Sequence, residues 1–189
     1  MILGLVLFLG MHTVTTQRDL RARVIGQAGE GGYKIGYTVI SAVGLALIVW
    51  GFASYRAAGM IDVWTPPRFT KHIAVGLMLL AVIALAAAYI RGRIYTALKH
   101  PMLVAVKIWA LAHLIANGDL GSIILFGAFL AWAVFDRISL KRRSDPGSPP
   151  IPVGGIGNDA IAVGVGIVAY LALGFAFHPV VIGVPVFGA

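Results

Sequence analysis

The sequence predicts an all-α fold, a polytopic transmembrane helix bundle with about six membrane helices, and three observations support this. The 189 residues are 59% hydrophobic and 12% charged, and that charged share is about half of what soluble domains carry. The mean hydropathy is +0.92, and a soluble domain of this length could not bury so much apolar surface. Long apolar runs alternate with short polar segments, as in multi-pass membrane proteins.

Six apolar runs carry this prediction, and the first is short. The predicted spans are residues 1–16, 35–55, 69–90, 101–117, 121–138 and 159–178. Residues 17–34 are predicted as a polar loop and residues 91–99 as a short basic connector. Pro101 suits the first turn of the fourth helix, whereas Pro179 and Pro185 discourage helix after the sixth.

Composition also predicts how the chain is organised. Residues 1–143 read as a membrane domain with five helices, and residues 144–158 as an irregular linker rich in Pro, Ser and Gly. Residues 159–189 read as a sixth membrane helix with an apolar tail. The small residues of the helices favour close helix packing.

The distribution of basic residues predicts both the partner and the orientation. The net charge is +8, but the basic residues lie in short loops between apolar runs, so the lipid bilayer is the expected partner rather than nucleic acid. The loops after helices one, three and five hold eleven of them: Arg18, Arg21, Arg23, Lys34, Arg91, Arg93, Lys99, Arg137, Lys141, Arg142 and Arg143. The opposite side holds three, namely Arg56, Arg68 and Lys71, which predicts that both termini are extracytoplasmic.

Several chemistries are disfavoured. The chain has no cysteine, which excludes disulfides, thiolate metal sites and c-type haem attachment. No carboxylate lies inside a predicted span, which argues against a carboxylate proton relay or a hydrolytic acid pair. The glycine cluster at residues 154–157 has no preceding strand, so a nucleotide loop there is improbable.

The histidines are the main candidates for chemistry, because ionisable groups in hydrocarbon are costly and usually functional. His12 and His113 lie inside predicted helices, whereas His72, His100 and His178 lie at helix ends. An end histidine is more often an interfacial residue or a cap. A hydrogen-bonded structural role is the alternative for the two internal histidines.

Two internal histidines on different helices suggest haem, which takes axial imidazoles in an apolar slot. His100 and His113 are thirteen residues apart, about 20 Å along a helix, so they cannot ligate one iron together. His113 therefore needs His12 or His72 as its partner. Basic residues that could meet the haem propionates are Arg91, Arg93, Lys99 and Lys107, with His100 beside them.

Four stretches of sequence carry a resemblance to a known family. They are LFLGMHT near residues 6–13, GEGGYKIGYTVISAVGL at 29–45, KHPMLVAVKIWALAHLIANGDL at 99–120 and FGAFLAWAVFDRISLKRR at 126–143. Over residues 1 to about 143 the chain resembles the NnrU family of bacterial membrane proteins. This resemblance implies a protein of the bacterial inner membrane with a role in nitrite and nitric oxide metabolism during denitrification.

The NnrU family is in turn similar to plant zeta-carotene isomerase, a membrane enzyme with haem b. The isomerase pattern matches His12, the His100-Pro101 pair and the Ala112-His113 pair, and this implies that His12 and His113 are the axial ligands. A cysteine of the isomerase falls at Ala110 here, so the resemblance does not extend to thiolate ligand switching, and this argues against carotenoid isomerisation. A fainter resemblance links residues 99–102 to membrane methyltransferases that bind S-adenosylmethionine, but the matching downstream region is basic rather than acidic.

These observations give one leading expectation and two alternatives. The leading expectation is a haem b membrane protein that binds a small gas and serves nitrite or nitric oxide metabolism, as sensor, redox enzyme or haem-handling factor. The first alternative is an isomerase with an isoprenoid ligand. The second is a non-catalytic assembly or transport factor for denitrification enzymes.

Overall fold

A computed structural model describes residues 1–142 and 152–187, and its elements are helices. The α-helices are α1 (Ile2–Val14), α2 (Arg18–Ala57), α3 (Arg68–Tyr89), α4 (Arg93–Leu98), α5 (Pro101–Ala116), α6 (Leu120–Arg142) and α7 (Ile156–Ala172). A π-helix, Leu173–Ile182, continues α7 and is called the π segment. Within the described ranges there is no strand, and an isolated β-bridge joins Asp62 to Asp119.

Four helical stretches are long and apolar enough to cross a membrane: Arg18–Ala57, Arg68–Tyr89, Leu120–Arg142 and Ile156–Ile182. The helices Ile2–Val14 and Pro101–Ala116 are also apolar but shorter. These six elements confirm the predicted all-α, polytopic membrane bundle. The orientation of the termini stays a prediction.

The contacts divide the chain into two units. The first unit is Met1–Thr65 with Gly118–Ser144, and the second is Pro66–Asn117 with Asp145–Ala189. The first therefore contains α1, α2 and α6, and the second contains α3, α4, α5, α7 and the π segment. The predicted division at residues 143 and 159 stays a prediction.

In the first unit, α1 and α2 pack backbone against backbone. A Cβ atom on Gly4 would lie 2.6 Å from the carbonyl oxygen of Gly44, and one on Gly44 would lie 2.8 Å from the amide nitrogen of Phe8. Small residues allow this approach, which gains van der Waals contact where hydrocarbon solvent offers no hydrophobic driving force.

The predicted polar loop at residues 17–34 is wrong, because α2 already begins at Arg18. The segment contains no proline, and its Arg, Ala, Leu and Gln residues favour helix. Gly29 alone departs from helical geometry, with φ 71° and ψ 165°. That conformation is open to glycine at little cost, so two helical pieces of α2 meet at a kink at Gly29.

Asp119 begins α6. Its side-chain Oδ1 accepts a hydrogen bond from the amide of Ser122 at 2.9 Å, which satisfies one of the amides that the first helical turn leaves without a partner. Asp119 is 7% exposed, so this bond replaces the water that the carboxylate would otherwise bind.

In the second unit, α3 and α5 form an antiparallel helix pair. Pro101 is the first residue of α5, as predicted. The prediction of a plain connector at residues 91–99 is incomplete, because this stretch contains the short helix α4. Lys99 follows α4 with a positive φ of 61° and turns the chain toward α5.

Two side chains at the start of α7 bind the first turn of α4 and the residue Arg91 that precedes it. The carboxylate Oδ1 of Asp159 accepts a hydrogen bond from the amide of Ile94 at 2.9 Å. The Nδ2 of Asn158 donates to the carbonyl oxygen of Arg91 at 2.9 Å. Farther along, α7 touches the α3 backbone, since a Cβ atom on Gly166 would lie 2.8 Å from the Cα of Ile83. These contacts hold α7 against α3.

The sixth span is longer than predicted. It runs from Ile156 to Ile182, and Pro179 lies inside the π segment instead of ending the helix. Gly183 ends the segment in the left-handed conformation, with φ 74°. Residues 144–151 of the predicted linker lie outside the described residues.

Candidate functional site

The second unit contains a partly open cavity of about 570 Å³, here called the histidine cavity. This volume falls in the range of about 300–1,000 Å³ that is typical of small-molecule sites. Its walls come from α3, α5, Tyr170 at the end of α7, the π segment and residues 184–187. Most of the lining side chains are apolar, so the cavity suits a ligand with a large apolar body.

One face of α5 supplies much of the wall. Ala105, Trp109, Ala112, His113 and Ala116 line the cavity, at the spacing of three and four residues that places side chains on one helix face. The short alanine side chains occupy little of the cavity, whereas the larger side chains of Trp109 and His113 line it beside them. The face therefore combines free volume with one imidazole.

The hydrogen bond of His113 defines its tautomer. Its Nδ1 lies 2.8 Å from the carbonyl oxygen of Trp109. A carbonyl oxygen only accepts hydrogen bonds, so Nδ1 must carry the proton and the lone pair of the neutral ring is on Nε2. Histidines that bind metals usually hold their second nitrogen in this way. His113 thus has the protonation pattern of an iron ligand.

His178 lies opposite on the π segment. Its ring centroid is 6.2 Å from that of His113, and both residues line the histidine cavity. The Nδ1 of His178 is buried and has no hydrogen-bond partner among the described residues. Its ring therefore lacks the bond that orients His113.

The polar groups gather at one end of the cavity. Lys71 and His72, in the first turns of α3, and Asn117, just after α5, line the cavity together with His113. The Nδ2 of Asn117 donates to the carbonyl oxygen of His113 at 2.8 Å. At the other end the lining is apolar, with Leu85 from α3 and Ala105 from α5. The cavity is therefore amphipathic along its length.

His12, the other predicted ligand, belongs to the first unit and has the same kind of hydrogen bond. Its Nδ1 donates to the carbonyl oxygen of Phe8 at 2.7 Å, which leaves the lone pair on Nε2. The ring stacks on Phe8 at 4.2 Å and approaches Tyr37 and Trp132 at 5.3 and 5.6 Å, measured between ring centroids. An aromatic environment therefore surrounds this imidazole.

The predicted propionate-binding residues lie elsewhere. None of Arg91, Arg93, Lys99, His100 and Lys107 lines the histidine cavity. The Arg91 guanidinium lies over the Tyr95 ring, 4.6 Å from its centroid, and His100 is the N-cap of α5, at the opposite end of that helix from His113. Of the predicted residues, the structure brings His113 and the alternative ligand His72 to this cavity.

The described residues contain no group of three or more His, Cys, Asp or Glu side chains that could hold a metal ion. His72, His113 and His178 therefore line one cavity without forming a three-ligand metal centre. The arrangement suits a ligand that needs one oriented imidazole and an apolar enclosure.

Comparison with known proteins identifies the family. A family model described as "NnrU protein" matches residues 1–186. The chain belongs to the NnrU family. Neither a curated protein nor a solved structure matches it.

The family match also changes how the C-terminal part of this NnrU protein is understood. The motifs placed the resemblance in residues 1 to about 143, whereas the family model extends to residue 186. The last helix therefore belongs to the family, and it contributes Tyr170 and His178 to the cavity.

Sequence reasoning missed two residues of this cavity. His178 was expected to be an interfacial residue or a cap, and Lys71 was counted only as a loop cation. The available signal was the His178-Pro179 pair inside a strongly apolar stretch, where an ionisable group is costly. For Lys71, the signal was its place beside His72 at the start of a membrane helix.

Proposed function

We propose that this NnrU protein binds haem b in the histidine cavity, with His113 as an axial ligand, and that it serves nitrite or nitric oxide metabolism. The observation that carries the proposal is the Nδ1–H bond of His113 to the Trp109 carbonyl at 2.8 Å inside an apolar cavity of about 570 Å³.

The residues present fit a haem in three respects. Alanine and valine side chains of α3 and α5 leave an apolar space, as a porphyrin requires. The backbone holds the His113 ring through its Nδ1–H bond, as it commonly does for metal-binding histidines. Polar groups are confined to one end, which matches a macrocycle with propionates on one edge. When bound, a haem would supply an iron able to bind a small diatomic gas.

His12 as the second axial ligand stays a prediction, drawn from the similarity to zeta-carotene isomerase. It is supported by the hydrogen bond from Nδ1 to the Phe8 carbonyl, which matches that of His113. His178 has no such bond. His12 belongs to the first unit and does not line the histidine cavity, whereas His72, the alternative ligand, does line it and is exposed.

The role in denitrification rests on the NnrU family and its link to nitrite and nitric oxide metabolism. The same link supports the bacterial inner membrane as the location, with both termini in the periplasm by the distribution of basic residues. Carotenoid isomerisation is less well supported. Ala110, which takes the place of the isomerase cysteine, is fully buried and does not line the cavity.

Absorption spectroscopy with nitric oxide tests the proposal. The protein is purified in detergent from haem-supplemented cells, reduced, and exposed to nitric oxide without oxygen. We expect a Soret band that shifts when the gas is added. His100→Ala serves as the control, because His100 lies at the other end of α5, and it should behave like the wild type. A colourless wild type would overturn haem binding, and a Soret band indifferent to nitric oxide would overturn the gas-binding role.

A genetic test addresses the biological role separately. A deletion strain of a denitrifying bacterium is complemented with the wild type, His113→Ala or His100→Ala. The proposal predicts that His113→Ala fails to restore nitrite consumption and that His100→Ala restores it. Full rescue by His113→Ala would favour the non-catalytic assembly or transport role, in which the histidines are structural.

A further inference from the structure

We infer that the polar end of the histidine cavity is an anion subsite, in which the Lys71 ammonium binds the carboxylates of the ligand, and for haem these are the propionates. This inference rests on the proposed function. The propionate partners predicted from the sequence include Arg91, Arg93 and Lys99, near α4. The inference replaces them with Lys71, at the opposite end of α3.

The charges of the cavity wall support this subsite. Among the described residues that line the cavity, Lys71 is the one with a permanent positive charge, and none is Asp or Glu. A carboxylate at the edge of an apolar cavity needs a cation or several hydrogen-bond donors to offset the loss of water. Lys71 supplies the cation, and the imidazole of His72 beside it supplies a second polar group.

The position of Lys71 relative to His113 also fits. The α3 helix has 22 residues, so it is about 33 Å long. Lys71 lies in its first turn, and Arg91 lies beyond its last residue. Asn117, whose Nδ2 bonds to the His113 carbonyl at 2.8 Å, lines the cavity with Lys71. Lys71 and His113 therefore share one end of the cavity, and Arg91 belongs to the other end of α3.

Lys107 provides the contrast on α5. The α5 residues that line the cavity include Ala105, Trp109 and Ala112, and Lys107 follows Ala105 by two residues, which places it on a different helix face. Lys107 has the same side chain as Lys71, lies in the same unit and is half-buried. It is thus a matched control for the loss of one positive charge without loss of the subsite.

The test compares two probes that differ only at the carboxylates. Wild type, Lys71→Met and Lys107→Met are purified without added haem and titrated with ferric protoporphyrin IX and with its dimethyl ester. We expect Lys71→Met to weaken binding of the free acid about three- to fivefold, as for a partly exposed ion pair. Binding of the dimethyl ester should be unchanged, and Lys107→Met should alter neither affinity.

A salt series adds a second readout. Raising the ionic strength screens an exposed ion pair, so the wild-type affinity for the free acid should fall with salt more steeply than that of Lys71→Met. Normal binding of the dimethyl ester by Lys71→Met shows that the variant is folded.

The outcomes separate the inference from the proposed function. If the wild type binds neither probe, both are overturned. If the wild type binds haem and Lys71→Met binds the free acid equally well, the anion subsite is overturned and haem binding stands. If Lys107→Met weakens the free acid and Lys71→Met does not, the propionates lie elsewhere and the inference is likewise overturned.

Discussion

The imidazole rings of His113 and His178 lie 6.2 Å apart between centroids, with their planes inclined by 32°. The two rings share the histidine cavity but differ in their hydrogen bonds. The Nδ1–H of His113 donates to a backbone carbonyl, whereas Nδ1 of His178 is buried without a partner among the described residues. Because of this difference we propose His113, and not His178, as the ligand.

Replacement of His178 tests that assignment. A buried polar atom without a partner costs about 1–3 kcal/mol, so His178→Leu should leave the thermal stability of the haem-free protein unchanged or raise it. Haem binding, measured by the Soret absorbance, should persist. Loss of haem in His178→Leu would instead make His178 a ligand. His113→Leu, measured in parallel, should lose haem.

The close contact of α7 with α3 gives a prediction with an internal control. A Cβ on Gly166 would meet the backbone of Ile83, so Gly166→Ala should destabilise the protein by about 1–3 kcal/mol through overpacking. A Cβ on Gly164 meets nothing within 4 Å, so Gly164→Ala should be neutral. Thermal unfolding in detergent measures both. Equal stability of the two variants would show that α7 does not pack on α3 as described.

The hydrogen bond from Ile94 to Asp159 gives a further prediction. Asp159 caps α4 from another helix, and loss of a helix cap costs about 0.5–2 kcal/mol. Asp159→Ala should therefore lower the unfolding temperature, whereas Asp159→Asn should keep most of the stability, because its amide oxygen can still accept the bond. The same loss in both variants would mean that charge, rather than the capping bond, matters at this position.

The sequence predicted the membrane helices well where apolar length decides. Residues 69–90 were predicted as a span, and α3 is Arg68–Tyr89, because a continuous apolar run has few alternatives in a bilayer. Charged stretches were less predictable. The segment after Arg18 was expected to be a loop and is helical, since Arg, Leu and Ala favour helix whether or not they enter the membrane.

The candidate site was predictable in part. His113 stood out as an ionisable residue within an apolar helix, and it lines the histidine cavity. Lys71 and His178 come from other parts of the chain, and their proximity to His113 depends on how α3, α5 and the π segment pack. No local pattern encodes that packing, so the sequence alone suggested other basic residues as propionate partners, namely Arg91, Arg93, Lys99 and Lys107, with His100 beside them.

The most direct test of the central claim is the haem content per chain, measured by the pyridine haemochrome assay on wild type and His113→Ala purified side by side. We predict close to one haem b per wild-type chain and near-complete loss in His113→Ala, while His100→Ala retains the wild-type content. A His113→Ala protein that keeps the full haem content, or a wild type that contains none, would contradict the claim that His113 holds haem in this cavity.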